Sequence, residues 1–77
     1  MNLKVIKLEN KEKDKYYYKE IKNAEIELNG GRLIIKSDCL VITSYKAEIF
    51  HNLSLTQMKN IVDKKNNNEL FIINIVK

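Results

Sequence analysis

AEIELNGGRLIIK, Ala24–Lys36, is the stretch on which the fold turns. It holds both glycines of a chain that has no proline. Apolar and charged residues alternate up to Asn29-Gly30-Gly31, and Leu33-Ile34-Ile35 follows. Asn-Gly and Gly-Gly pairs adopt the positive φ that two-residue turns require, so the segment reads as a β-hairpin. A turn at Asn29-Gly30 pairs Ile26 with Leu33. A turn at Gly30-Gly31 pairs Ile26 with Ile35 and Leu28 with Leu33. Both put Ala24, Ile26, Leu28, Leu33 and Ile35 on one face, because side chains alternate along a strand. Glu25, Glu27, Arg32 and Lys36 share the other face with Ile34. Opposite charges across that ladder add roughly 0.2–1 kcal/mol per pair.

Downstream of the hairpin, Ser37-Asp38 reads as a tight turn, since both side chains can bond nearby backbone. Cys39-Leu40-Val41-Ile42-Thr43 is β-branched and apolar on both faces, as a central strand is. Ser44-Tyr45-Lys46 is the next turn, and Ala47–His51 is expected to return antiparallel. Residues 24–51 then form a four-stranded meander. At Ser54 the period changes. Ser54 with Gln57 fits a capping box, and Leu55, Met58, Ile61 and Val62 recur at helical spacing. Lys64 and Lys65 favour the C-terminal end of the helix dipole, and Asn66-Asn67-Asn68 stops the helix. Leu70–Val76 is a final strand, apolar enough to be buried or paired. Upstream, Asn2–Leu8 reads as a strand and Glu9–Lys15 as a charged loop. Tyr17, Ile21, Ala24 and Leu28 fall at helical spacing, but three tyrosines and the following hairpin favour a strand over Tyr16–Lys22. The fold class predicted is α+β: a small, mostly antiparallel sheet, a meander of about five to six strands, with one short helix near residues 54–65. Residues 1–77 form a single small domain.

A chain of this size has a thin core, with only about 60% of its unfolded surface buried. Small scaffolds often add a disulfide, a metal or a partner subunit. Cys39 is the only cysteine and His51 the only histidine, so neither a disulfide nor a Cys/His metal cluster is expected. Oligomerisation or docking on a larger partner is the remaining source of stability. The apolar runs are too short to span a bilayer, and MNLKVIKLEN lacks the apolar core of a signal peptide. The expectation is a cytoplasmic protein that does not engage the membrane. Lysine, asparagine and isoleucine number 13, 10 and 11. All have A/T-rich codons, so the bias reports base composition more than chemistry. The formal charge of +4 divides as +3 over residues 1–23, −1 over 24–51 and +2 over 52–77. Glu9, Glu12, Asp14 and Glu20 interrupt the N-terminal lysines, whereas nucleic-acid binders cluster their cations on one face.

KDKYYYKEIK, Lys13–Lys22, carries the candidate contact residues. Rings stack on bases for roughly 1–3 kcal/mol each, and lysines track phosphates. Tyrosine is also enriched in protein interfaces. In a strand Tyr16 and Tyr18 share one face, with Tyr17 on the other between Lys15 and Lys19. These five residues, with Tyr45, are the candidate partner-binding set. The plainer reading packs one face on the core and leaves the other as an amphipathic edge. Cys39 and His51 have the chemistry of a nucleophile and base. A hairpin centred on Tyr45 would set them opposite each other, but no orienting carboxylate or oxyanion loop accompanies them. Glu25 and Glu27 are too few for a calcium cage of 6–8 oxygens. There is no P-loop, Rossmann glycine pattern, zinc spacing or GxSxG. No cofactor and no small-molecule substrate are expected.

NGGRLIIKSDCLVITS, Asn29–Ser44, resembles the meander of bacterial pleckstrin-homology-like domains. The likeness covers under a quarter of the chain and has no diagnostic residue. It implies further strands and a closing helix, for which this chain lacks room. The length, the Lys/Asn/Ile skew and the lack of catalytic motifs look like small accessory proteins of phages or mobile elements. The expectation is a non-enzymatic binding protein or homo-oligomer that docks on and blocks or modulates a larger protein, as inhibitors of host or defence proteins do. The alternative is a nucleic-acid-binding module, with Lys13, Lys15, Lys19 and Lys22 on phosphates and Tyr16–Tyr18 stacking.

Overall fold

The structure is a computed structural model and describes residues 1–77. In chain order it comprises β1 (Asn2–Asn10), β2 (Lys15–Ile21), β3 (Glu25–Asn29), β4 (Arg32–Lys36), β5 (Val41–Ser44), β6 (Ala47–His51), α1 (Leu55–Lys65) and β7 (Phe71–Val76). This is an α+β fold, with seven strands in two mostly antiparallel sheets and one short helix. The four-stranded sheet runs β2-β1-β7-β6 and the three-stranded sheet β3-β4-β5.

The four-stranded sheet is the middle layer. Its β1 and β7 are buried on both faces, which is why VI and FIINIV carry almost no polar residues. Leu3, Val5, Ile21 and Ile73 face the smaller sheet and pack with Ala24, Leu33, Ile35 and Ile42. Ile6, Leu8 and Ile72 face the other way and pack with Met58 and Val62 of the helix. A chain with a thin core thus divides it into two shallow ones, each covered by a single further layer.

The hairpin turns at Gly30-Gly31. Leu28 stands opposite Leu33 and Asn29 opposite Arg32. Both glycines have positive φ, +61° and +77°, as a twisted two-residue turn demands. The facing read from alternation holds, except that Leu28, beside the turn, overhangs the layer below and is 78% exposed. Lys36 and Glu27 form the ion pair on the outer face, 3.2 Å apart.

The expected meander breaks after β5. Ser44 is buried, and its Oγ donates to the Lys46 carbonyl at 2.8 Å and accepts from the Lys46 N–H at 3.1 Å. The Phe71 N–H then donates to the same Lys46 carbonyl at 3.1 Å. The chain therefore changes sheets at this turn. β6 lies parallel to β7, with Ala47 beside Phe71 and His51 beside Ile75. A parallel pair needs a long crossover, and α1 supplies it. Nor is Cys39–Thr43 a central strand: β5 starts at Val41, forms the edge of the smaller sheet, and leaves Val41 64% exposed.

The helix follows its sequence signals. Ser54 Oγ accepts from the Gln57 N–H, and Gln57 Oε1 accepts from the Ser54 N–H, closing the capping box. Asn66 ends the helix in the left-handed region, at φ 51°. Asn74 anchors the loop that leads into it. Wholly buried on β7, Asn74 accepts from the Leu53 N–H at 3.0 Å and donates to the Leu53 carbonyl at 2.9 Å. A lone amide in an apolar strand thereby satisfies loop backbone that has no strand to bond.

Candidate functional site

β2 is the outer strand of the four-stranded sheet, and the tyrosine run divides across it as alternation requires. Tyr16 stands opposite Leu8 and Tyr18 opposite Ile6, on the helix side. Tyr17 stands opposite Lys7, on the side of the smaller sheet.

Tyr16 is committed to the helix. Its hydroxyl donates to Asp63 Oδ1 at 2.5 Å, and Lys59 Nζ lies 5.1 Å from its ring centroid. Lys59 and Asp63 are one helical turn apart, so a single ring bridges both. The bond to Asp63 holds the proton on the phenol and pushes its pKa up to about 12, with desolvation and the negative charges of Asp63 and Asp14 acting the same way. Because the folded value exceeds the unfolded value of 10.0, the stability from this contact is fully present below about pH 10. It is lost as pH rises through about 12. Tyr16→Phe should therefore flatten the alkaline limb of a stability profile, read from the urea midpoint across that window.

Tyr17 also spends its ring within the chain. It meets Phe71 edge to face, with centroids 6.0 Å apart at 90°. Lys7 Nζ sits 5.0 Å from the centre of the Phe71 ring. Tyr18 points outward, and its hydroxyl donates to Glu20 Oε1 at 3.1 Å. Partial burial first, then that bond, raises its pKa. Lys19 is exposed, and Lys15 makes a loose pair with Glu9 at 3.8 Å. The helix and Phe71 thus take up two of the three rings, and Tyr18 with Lys19 remains free on the strand edge.

Tyr45 lies in the turn where the chain changes sheets and is 75% exposed. It lines an open groove of about 400 Å³ with Lys7, Ser44, Lys46, Glu69 and Phe71. Lys46 is paired to Glu69 at 2.8 Å, which lowers the Glu69 pKa. Leu28 belongs to the same end of the fold. It sits in one cross-strand row with Leu33 and Ser44. Tyr45 is the residue after Ser44, the last residue of β5. Leu28 and Tyr45 are the two most exposed large apolar or aromatic side chains of the protein. Leu28 was legible only as a core position. The signal that marks it otherwise is its place next to the turn, where a hairpin runs beyond the layer it packs on.

Cys39 and His51 are not brought together. Cys39 is in the loop before β5, near Lys19–Asn23, whereas His51 lies on β6 in the other sheet. No three His, Cys, Asp or Glu side chains converge anywhere in the chain. No helix is long and apolar enough to cross a membrane. The chain matches no protein-family model, no curated protein and no solved structure.

Proposed function

We propose that this is a non-enzymatic binding module that docks on a larger protein partner through the end of the fold formed by the β3–β4 hairpin and the β5–β6 turn. The observation that carries this reading is that Leu28 and Tyr45, 78% and 75% exposed, are the two most exposed large apolar or aromatic side chains and lie toward one end of the smaller sheet. Leaving such groups in water forgoes roughly 1.5–3 kcal/mol for a full apolar side chain. Protein interfaces draw on aromatic and apolar anchors of this kind, surrounded by polar groups that exclude water. Lys7 and the Lys46–Glu69 pair, beside Tyr45 in its groove, supply that rim. The form we favour is a blocking role on a host or defence protein.

The nucleic-acid reading draws less support. Of the three rings it would use, Tyr16 is bonded to the helix and Tyr17 is packed on Phe71. Affinity purification of the tagged chain from a lysate of the source cell, run with and without nuclease, separates the two. Docking expects a stoichiometric protein to be retained. Recovery of single-stranded nucleic acid that falls steeply with salt, and of no stoichiometric protein, would overturn it.

A further inference from the structure

The outer edge of β2 is unpaired, and its sequence is complementary to itself. β2 is KYYYKEI, seven residues with Tyr18 at the centre. Nothing pairs with the strand on the side away from β1, so alternate backbone groups point to solvent. Two copies that pair this edge antiparallel are related by a two-fold axis perpendicular to the sheet. Residues facing each other must then project from the same side of the sheet, so the axis passes through a residue.

The choice of residue is narrow. With the axis at Tyr17, Lys15 faces Lys19 of the second copy. At Lys19 or Glu20, identical charges face each other. At Tyr16, less than half the strand overlaps. With the axis at Tyr18 all seven residues overlap and no like charges meet. Tyr16 then faces Glu20, Tyr17 faces Lys19 and Lys15 faces Ile21. Lysine on an edge strand is ordinarily a guard against such pairing, but here Lys19 is set against the Tyr17 ring, where cation–π contact favours it, and Lys15 against Ile21, along which its aliphatic stem can lie. The edge at β3 behaves in the opposite way. Its central residue is Glu27, so full overlap of two copies puts like carboxylates together.

We infer that the protein forms a homodimer by antiparallel pairing of β2 with β2 of a second copy, with the two-fold axis at Tyr18, joining the two four-stranded sheets into one. The pairing leaves Leu28 and Tyr45 free in both copies, so the dimer presents two docking ends. It does not depend on the docking reading, and either can fail without the other.

The test is oxidative crosslinking on a Cys39→Ser background, which removes the only native thiol. Directly opposed residues of an antiparallel pair have Cα atoms about 4.5–5.5 Å apart, within disulfide reach. Tyr18→Cys should therefore convert the 9.1 kDa chain almost fully to a covalent dimer under a mild oxidant. Glu20→Cys, which lies opposite Tyr16, should stay monomeric, as should Ile49→Cys on the β6 edge. Light scattering of the unmodified protein should give twice the chain mass. Tyr18→Glu sets like charges at the axis and should raise the dissociation constant at least about tenfold, with circular dichroism unchanged. A protein that is monomeric at its highest soluble concentration would overturn the inference. So would crosslinking through Ile49→Cys, or equal crosslinking at positions 18 and 20.

Discussion

Asn74→Asp should bring the protein close to unfolding at neutral pH and leave it markedly more stable near pH 4. Asn74 is wholly buried and satisfies both the N–H and the carbonyl of Leu53. Aspartate has nearly the same shape. Its oxygens can still accept from the Leu53 N–H, but an ionised carboxylate has nothing to donate to the Leu53 carbonyl. The substitution therefore strands an acceptor and buries a charge without a partner. Uncompensated buried charge costs about 3–5 kcal/mol, a large fraction of the roughly 5–15 kcal/mol that holds a native protein together. Protonation relieves both faults, since the acid can donate to the carbonyl. The folded-state pKa of the new group is accordingly raised above its unfolded value near 4. Its least destabilised state lies below that value, and the penalty grows as pH rises through the folded pKa. Urea unfolding at two pH values measures this. A penalty that does not change with pH would mean that the loop before α1 had simply detached.

Ile73→Ala should cost about 2–5 kcal/mol, the range for removing a buried isoleucine from a site that cannot collapse around the gap. Ile73 is at the centre of the molecule. It lies on β7 between Val5 of β1 and Ile49 of β6, and packs beneath the smaller sheet with Ile35 and Ile42. Strands on both sides hold the backbone, so relaxation is limited. Leu28→Ala removes a comparable side chain, but one already 78% exposed. It should shift stability by no more than about 0.5 kcal/mol. The contrast between the two, read from denaturant midpoints with unchanged slopes, separates residues that hold the fold from residues it displays.

How far this was legible in the sequence depends on whether each signal is local. The hairpin over Ala24–Lys36, the alternation within it and the Ser54–Gln57 capping box are set by neighbours within a few residues and are found where they were read, and the structure chooses Gly30-Gly31 from the two turns the sequence allowed. The strand assignment over the tyrosines also holds, because β-favouring side chains outweighed a coincidental helical spacing. Strand partners are a different matter. Alternation tells which residues share a face, not which strand lies alongside, so Ala47–His51 read as the antiparallel partner of the preceding strand when it lies parallel to β7. The deciding contacts are Ser44 with the Lys46 backbone and Lys46 with Phe71. The second of these spans a helix and a loop. Likewise Cys39–Thr43 looked central because it is apolar on both sides, yet Val41 faces water. In a molecule with little surface to spare, an apolar strand can serve as an edge. The candidate site was legible in its chemistry, as exposed tyrosine beside lysine, but not in its selection. Only the packed structure shows that Tyr16 and Tyr17 are occupied while Tyr18, Tyr45 and Leu28 are not.

The most direct test of the docking reading is the affinity of the retained partner for a Leu28→Asp/Tyr45→Asp double variant, measured by calorimetry against the unmodified chain. Both positions are exposed and unbonded, so the variant should fold normally, which circular dichroism checks. If these side chains are the anchors, truncation at positions of this kind costs about 2–4 kcal/mol or more, and binding should weaken at least about 30-fold. An unchanged affinity in a correctly folded double variant would contradict the account.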